Sequence, residues 1–171
     1  FEFFNNKLFT IEKSKLDLYN TFQVNSFGLL NVLEAARINN IKNIIFFSSL
    51  TVHGAKDENQ IISENDIYFP NHPYAVSKVI GEYILSDYAK FYKINTVTLR
   101  PTIVVGNLKG EPNAVNEFTK SAFNDQPIVI YGDGKHEREY ISISDLVIAV
   151  EKTINYLEKN SNNEICETFI I

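Results

Sequence analysis

The 171-residue sequence contains no methionine and a single cysteine, Cys166. One thiol excludes an internal disulfide and a cysteine metal cluster, and fits a reducing cytoplasm. Histidine is nearly as scarce: His53, His72 and His136 stand far apart without an H-x-x-x-H spacing, so no metal site is expected. No apolar run approaches the ~20 residues of a membrane span, and no signal-peptide pattern opens the chain. The 16 basic residues are scattered under a net charge of −5. That argues against a nucleic-acid or anionic-membrane surface, while leaving room for a local pocket for a phosphorylated small molecule. There is no internal repeat, and Asn-rich patches such as 160–163 read as polar turns. The missing methionine, with Phe1 as first residue, is what an incomplete chain would show.

What is present suits one soluble domain with a real core: 44% hydrophobic and 22% charged residues. Residues 1–16 have apolar clusters without a clear period. Phe27, Leu30, Leu33 and Ala36 lie near helical spacing and predict a helix over 17–37, ended by Asn39-Asn40. Ile44-Ile45-Phe46-Phe47 reads as a strand buried on both faces, as in a parallel sheet, with 48–54 the loop off its carboxyl end. A polar surface excursion is expected over 55–73 and a helix over 74–92. A strand over 95–99 follows, then Pro101, which breaks the ladder. Helices are predicted at 115–123 and at 145–157, the latter capped by Ser144. Strands are predicted at 128–131, at 140–143 and at 167–171. Alternating strands and helices mean an α/β sheet with right-handed crossovers.

Within that frame, Tyr74-Ala75-Val76-Ser77-Lys78 puts a phenol and an ammonium on one helical face. Ser48-Ser49, at the carboxyl end of the preceding strand, stands where α/β sheets build their sites. Such a trio suits moving a proton on or off an alcohol while a hydride is transferred. The spacing alone carries little weight: 9 tyrosines and 13 lysines in 171 positions supply about 0.7 chance copies of Tyr-x-x-x-Lys. A second copy, Tyr131 to Lys135, spans Gly132-Asp133-Gly134 and cannot be a helical pair. On spacing, a surface Tyr–Lys pair beside a Ser-rich turn is an equal alternative.

The surrounding residues are more specific. Val24-Asn25, Gly28 and Asn31-Val32-Leu33-Glu34-Ala35-Ala36, then Phe47-Ser48-Ser49-Leu50-Thr51-Val52-His53-Gly54, resemble the extended short-chain dehydrogenase/reductases. Within that group they look like the NAD-dependent nucleotide-sugar epimerases and dehydratases. Pro73-Tyr74, Ser77-Lys78 and Glu82, Leu99-Arg100-Pro101 with Gly106, and Gly132-Asp133-Gly134 with Arg138-Glu139-Tyr140 and Asp145 continue the likeness in order. The resemblance implies a Rossmann-like parallel sheet flanked by helices. Residues 1–110 would be a partial NAD-binding domain carrying the catalytic residues. Residues 111–171 would be a mixed segment with part of a substrate lobe and returning elements of the sheet.

It also implies roles. Tyr74 would be the general acid/base, its phenol lowered by Lys78 and the positive nicotinamide ring. Lys78 would also hold the nicotinamide ribose. Ser49 would bind the reacting sugar hydroxyl and relay its proton. Asn25 and Ser48 would order the site near the cofactor, and Pro101 and Thr102 would lie against the nicotinamide. Arg138, with Tyr131, would meet the sugar nucleotide, a guanidinium fork suiting its pyrophosphate. Asn25 could instead be a helix-interior residue bonded to backbone, and Arg138 a surface partner of Glu137 or Glu139. Asp145 reads as structural and His53 as packing. A homodimer through the helices of Tyr74 and Asn25 is expected, with Tyr88 and Phe91 either at that interface or in the core.

The sequence departs from the family in three places. The first glycine is Gly28, and the seven glycines nowhere form the G-x-x-G-x-x-G turn that receives a dinucleotide pyrophosphate. Thr102-Ile103 stands where epimerases often carry an asparagine that contacts substrate phosphates. Leu50 and Thr51 replace the Asp-Glu pair of the 4,6-dehydratases, which disfavours dehydration. The reading is therefore an NAD-dependent epimerase acting on a nucleotide sugar through a keto intermediate. An NAD(P)-dependent sugar or alcohol reductase or dehydrogenase needs the same residues, and a non-catalytic homologue that binds a partner or nucleotide is the contrasting class.

Overall fold

The computed structural model describes residues 11–54, 61–106, 113–135, 137–160 and 163–171. Residues 55–60 of the expected surface excursion, 161–162 of the Asn-rich turn, and His136 lie outside them.

Three parallel strands form the sheet, in the order β1 (Asn43–Phe47), β2 (Asn95–Arg100), β5 (Cys166–Ile170). β2 is central and every residue in it is buried. The pleat alternates side chains between two cores. Ile44 and Phe46 of β1 pack with Leu33, Leu85, Tyr88 and Ile94, on helices α3 (Gly28–Ile38) and α4 (Pro73–Tyr92) and just beyond α4. Ile45, with Val97 and Leu99 of β2, packs against Leu157 and Val150 of helix α6 (Ile143–Lys159). The α/β class, the parallel sheet and helices over both faces are thus as the sequence leads one to expect. Tyr88 belongs to the core, where its hydroxyl donates to Glu34 at 3.0 Å, whereas Phe91 is exposed.

The single helix expected over 17–37 is broken. Helix α1 (Ile11–Leu16) ends at Asp17, whose non-helical backbone (φ −142°) caps helix α2 (Leu18–Phe22) by accepting from Asn20 N at 3.1 Å. A π-turn (Gln23–Phe27) then leads into α3. Such one-turn widenings concentrate at functional sites, and this one contains Asn25. Asn40, at φ 56°, turns the chain out of α3 as predicted.

Helix α4 begins as the sequence indicates. His72 caps it, Nδ1 accepting from Ala75 N at 3.1 Å, and Pro73 stands at the first helical position, where its missing N–H costs nothing. Gly81 lets α4 approach the sheet: a Cβ there would lie 2.8 Å from the Phe46 ring.

Beyond β2, strands β3 (Ile103–Val105) and β4 (Tyr140–Ser142) pair in parallel as a separate ribbon. Helix α5 (Ala114–Phe123) lies between them in sequence. The strand expected at 128–131 does not form. Its apolar residues, Ile128 to Tyr131, are exposed and have no ladder partner among the described residues, and β propensity without a partner edge makes no strand. Helix α6 is capped by Ser142 rather than Ser144. Ser142 has extended backbone, and its Oγ accepts from Asp145 N at 3.0 Å and donates to the Asp145 carboxylate at 2.8 Å. That reciprocal pair needs an acid at the third helical position, which only Ser142 has. It also gives Asp145 its structural role. Among the described residues, no helix is long and apolar enough to cross a membrane.

Candidate active site

The carboxyl ends of β1 and β2 and the amino end of α4 converge on one cluster. After β1 the chain makes a short 3-10 turn (Leu50–His53) capped by Ser49. Ser49 Oγ accepts from Thr51 N at 3.3 Å and from the Thr51 hydroxyl at 2.9 Å. The turn closes on Gly54, at φ 69°, where a Cβ would fall 2.3 Å from the Phe69 carbonyl, so only glycine fits. Leu50 N donates to the Pro101 carbonyl at 3.1 Å, which ties this loop to the segment leaving β2.

Burial raises the Tyr74 phenol above its ordinary pKa, and the hydrogen bond with Ser49 draws it back down. Since Ser49 Oγ already accepts two bonds from Thr51, its own proton is free to point at Tyr74. Lys78, one turn along α4, holds its Nζ 5.6 Å from the Tyr74 ring centre and donates to the Phe47 carbonyl at 2.8 Å. Burial pulls the Lys78 ammonium down to about 8, with Glu82 opposing. The lowering of Tyr74 expected from Lys78 does not appear: desolvation raises the phenol, and the group that lowers it is Ser49.

Asn25 reaches the same helix from the π-turn. Its Nδ2 donates to Ser77 Oγ at 3.0 Å, and Ser77 Oγ donates to the Tyr74 carbonyl at 2.7 Å. Asn25 Oδ1 is buried with no hydrogen-bond partner. The alternative of a helix-interior residue bonded to backbone does not hold, because the Asn25 amide nitrogen bonds a side chain on α4. From α1, buried Ser14 accepts from Tyr74 N at 3.2 Å.

Of the residues singled out in the sequence, the structure brings Asn25, Ser48, Ser49, Tyr74 and Lys78 together, with Pro101 joined to the same loop. Ser48 Oγ donates to the Glu82 carboxylate. Thr102 is half-buried, its N–H donating to the Ile171 carbonyl at 3.0 Å. Tyr131 and Arg138 are exposed and stand outside this hydrogen-bonded cluster, Arg138 Nη1 donating to the Glu137 carbonyl at 2.9 Å. Sequence reasoning missed Thr51 and Ser77 as partners of the trio. Their positions, two residues after Ser49 and three after Tyr74, were the available signal.

Residues 8–167 match the NAD dependent epimerase/dehydratase family. Protein CapI of Staphylococcus aureus is 32% identical over 130 residues, covering 76% of this chain and 39% of that protein. A putative UDP-glucose 4-epimerase of Methanocaldococcus jannaschii is 30% identical over 145 residues, covering 83% of this chain and 46% of that protein. The chain therefore spans less than half the length of these two relatives. Among solved structures, UDP-glucuronic acid 4-epimerase from Bacillus cereus, in complex with UDP-glucuronic acid and NAD, superposes with a TM-score of 0.77. It is 29% identical, and the match covers 95% of this chain and 50% of that one.

Proposed function

Because this chain belongs to the NAD dependent epimerase/dehydratase family, we propose that Ser49, Tyr74 and Lys78 move the proton in an NAD-dependent epimerisation of a nucleotide sugar. The observation that carries the reading is the convergence of the Ser49-capped turn and the amino end of α4, with the Lys78 ammonium 5.6 Å from the Tyr74 ring centre and bonded to the Phe47 carbonyl at the end of β1.

NAD fits the donor set at its nicotinamide end. Lys78 spends one of its three N–H donors on Phe47, leaving two for ribose hydroxyls. Pro101 and Thr102 leave β2 next to the Ser49 loop and offer a half-buried wall. When bound, NAD would accept the hydride and return it. The chain's own residues handle the proton. Tyr74, as phenolate, takes it from the sugar hydroxyl through Ser49 and later gives it back by the same route. Lys78 favours the phenolate by its charge, and Thr51 holds Ser49 in position for both partners. Leu50 and Thr51 bring no carboxylate to this loop, which favours epimerisation over dehydration.

The sugar's pyrophosphate would be met by Arg138 with Tyr131. The working form would be a cytoplasmic homodimer, for which Phe91 and Tyr83 on α4 are among the exposed hydrophobic side chains. The test is to purify the intact protein, denature it, and assay the supernatant for NAD(H), then assay nucleotide sugars for epimerisation. Stoichiometric NAD(H) and turnover are expected. No released NAD(H), no binding of added NAD and no turnover would overturn the reading.

A further inference from the structure

Beneath the cluster lies a buried ion pair that the chemistry above does not use. Glu82 sits one turn beyond Lys78 on α4, and Arg100 is the last residue of β2; both side chains are almost wholly buried. Arg100 Nε donates to Glu82 Oε1 at 3.0 Å and Nη2 to Oε2 at 2.6 Å, a two-pronged fork. The remaining guanidinium protons are also committed. Nη1 donates to His53 Nε2 and to the Glu64 carbonyl, both at 2.9 Å, and Nη2 to the Tyr68 hydroxyl at 3.0 Å. All five donors of the arginine are therefore used.

The carboxylate is equally filled, since it also accepts from Ser48 Oγ and, at 2.8 Å, from the Tyr68 hydroxyl. Burial and Glu82 push Tyr68 up to about 12, so it stays a donor. An arginine only donates, so His53 Nε2 must accept; the neutral ring then gives its Nδ1 proton to the Ile67 carbonyl at 3.4 Å.

Four members of this network adjoin residues of the proposed site. Ser48 precedes Ser49, His53 ends the turn that Ser49 caps, Glu82 follows Lys78 by one turn, and Arg100 precedes Pro101. We infer that the Glu82–Arg100 pair is a positioning device that sets the register of the Ser49 loop, the Tyr74–Lys78 helix and the Pro101–Thr102 segment against one another. The inference rests on the proton-transfer role proposed for Ser49, Tyr74 and Lys78. Apolar side chains could fill the same space, but they slide, whereas a saturated fork admits one arrangement. The pleat makes it possible: Arg100 shares the parity of Thr96 and Thr98 and so faces α4, opposite to Val97 and Leu99, which face α6.

The test uses two variants of the intact protein. Arg100→Lys keeps the cluster neutral, and so the fold, but cannot fork; Glu82→Gln keeps the shape and removes the charge. In Arg100→Lys, kcat is expected to fall roughly tenfold or more, with KM for NAD and sugar within about threefold of wild type. A second readout needs no turnover: the ¹⁵Nζ resonance of Lys78, assigned by its loss in Lys78→Arg, should move in Arg100→Lys, the variant that leaves the Glu82 charge acting on Lys78 in place. A lowered melting temperature with kcat and the Lys78 resonance unchanged means the pair only stabilises the core, and overturns the inference. If wild type turns over no nucleotide sugar, the proposed function fails by itself. The Lys78 resonance then decides the positioning claim, movement supporting it and constancy overturning it.

Discussion

Asn25 Nδ2 donates to Ser77 Oγ at 3.0 Å across 52 positions of sequence, and through that hydroxyl it reaches the Tyr74 backbone. The π-turn is what brings Asn25 to α4. Asn25→Ala removes one buried hydrogen bond but also an oxygen that has no partner, so stability should change by no more than ~1 kcal/mol. Catalysis should suffer more than stability, because the amino end of α4 loses a tether. Urea denaturation beside steady-state kinetics separates the two.

Tyr74→Phe deletes the hydroxyl that meets Ser49 and leaves the ring and Lys78 in place. Turnover should fall at least ~10²-fold, the scale of a positioned acid/base, while NAD affinity stays close to wild type. Retained activity in a stopped assay would remove Tyr74 from the mechanism.

Lys78 links stability to pH. Its folded pKa, about 8, lies below the unfolded value, so the folded state releases the proton first as pH rises. Between about pH 8 and 10.5 the unfolded chain holds the extra proton, and stability rises with pH across that window. The gain is on the order of 3 kcal/mol. Lys78→Met should lack this rise, which paired denaturation curves at neutral and alkaline pH would reveal.

Gly54→Ala places a methyl 2.3 Å from the Phe69 carbonyl at a φ of 69°. Strain of this kind costs about 2 kcal/mol or more. Denaturant midpoints measure it, and a wild-type midpoint would mean that the Ser49 turn is far more pliable than its geometry indicates.

Arg138 is exposed and free to meet a diphosphate. Arg138→Ala should raise KM for a nucleotide sugar about tenfold, the scale of a charge-assisted hydrogen bond, with kcat little changed. An unchanged KM would mean that the substrate carries no pyrophosphate at this position.

Much of the fold was legible because it is written in periods. Ile44 to Phe47 announces a strand, though only Phe46 in it is buried and Phe47 is exposed, and the apolar positions after Tyr74 announce a helix that in fact starts at Pro73. The misreadings lie where a period gave way to a local bond. Asp17 caps a new helix inside what looks like one continuous helix, and Ser142 wins the cap of α6 because Asp145 answers it. Ile128 to Tyr131 has strand composition but no neighbouring edge among the described residues. Of the site, Tyr74 and Lys78 were legible as a helical pair and Ser49 as the end of a strand. Thr51 and Ser77 were not, because hydroxyls are common and only contact distinguishes them.

By itself, the sequence determined which residue types lie at the ends of which elements: a phenol and an ammonium one turn apart, with a hydroxyl leaving the preceding strand. These are local facts, set by residue spacing and backbone geometry. Only the tertiary structure decided that Ser48 would meet Glu82 across 34 positions and Asn25 would meet Ser77 across 52. It likewise decided that Arg100 would spend every donor, on Glu82 of α4, on His53 of the Ser49 turn, and on Glu64 and Tyr68 before α4. Such pairings depend on how whole helices seat on the sheet, and a hydrogen bond has a reach of about 3 Å, which no pattern in one dimension specifies.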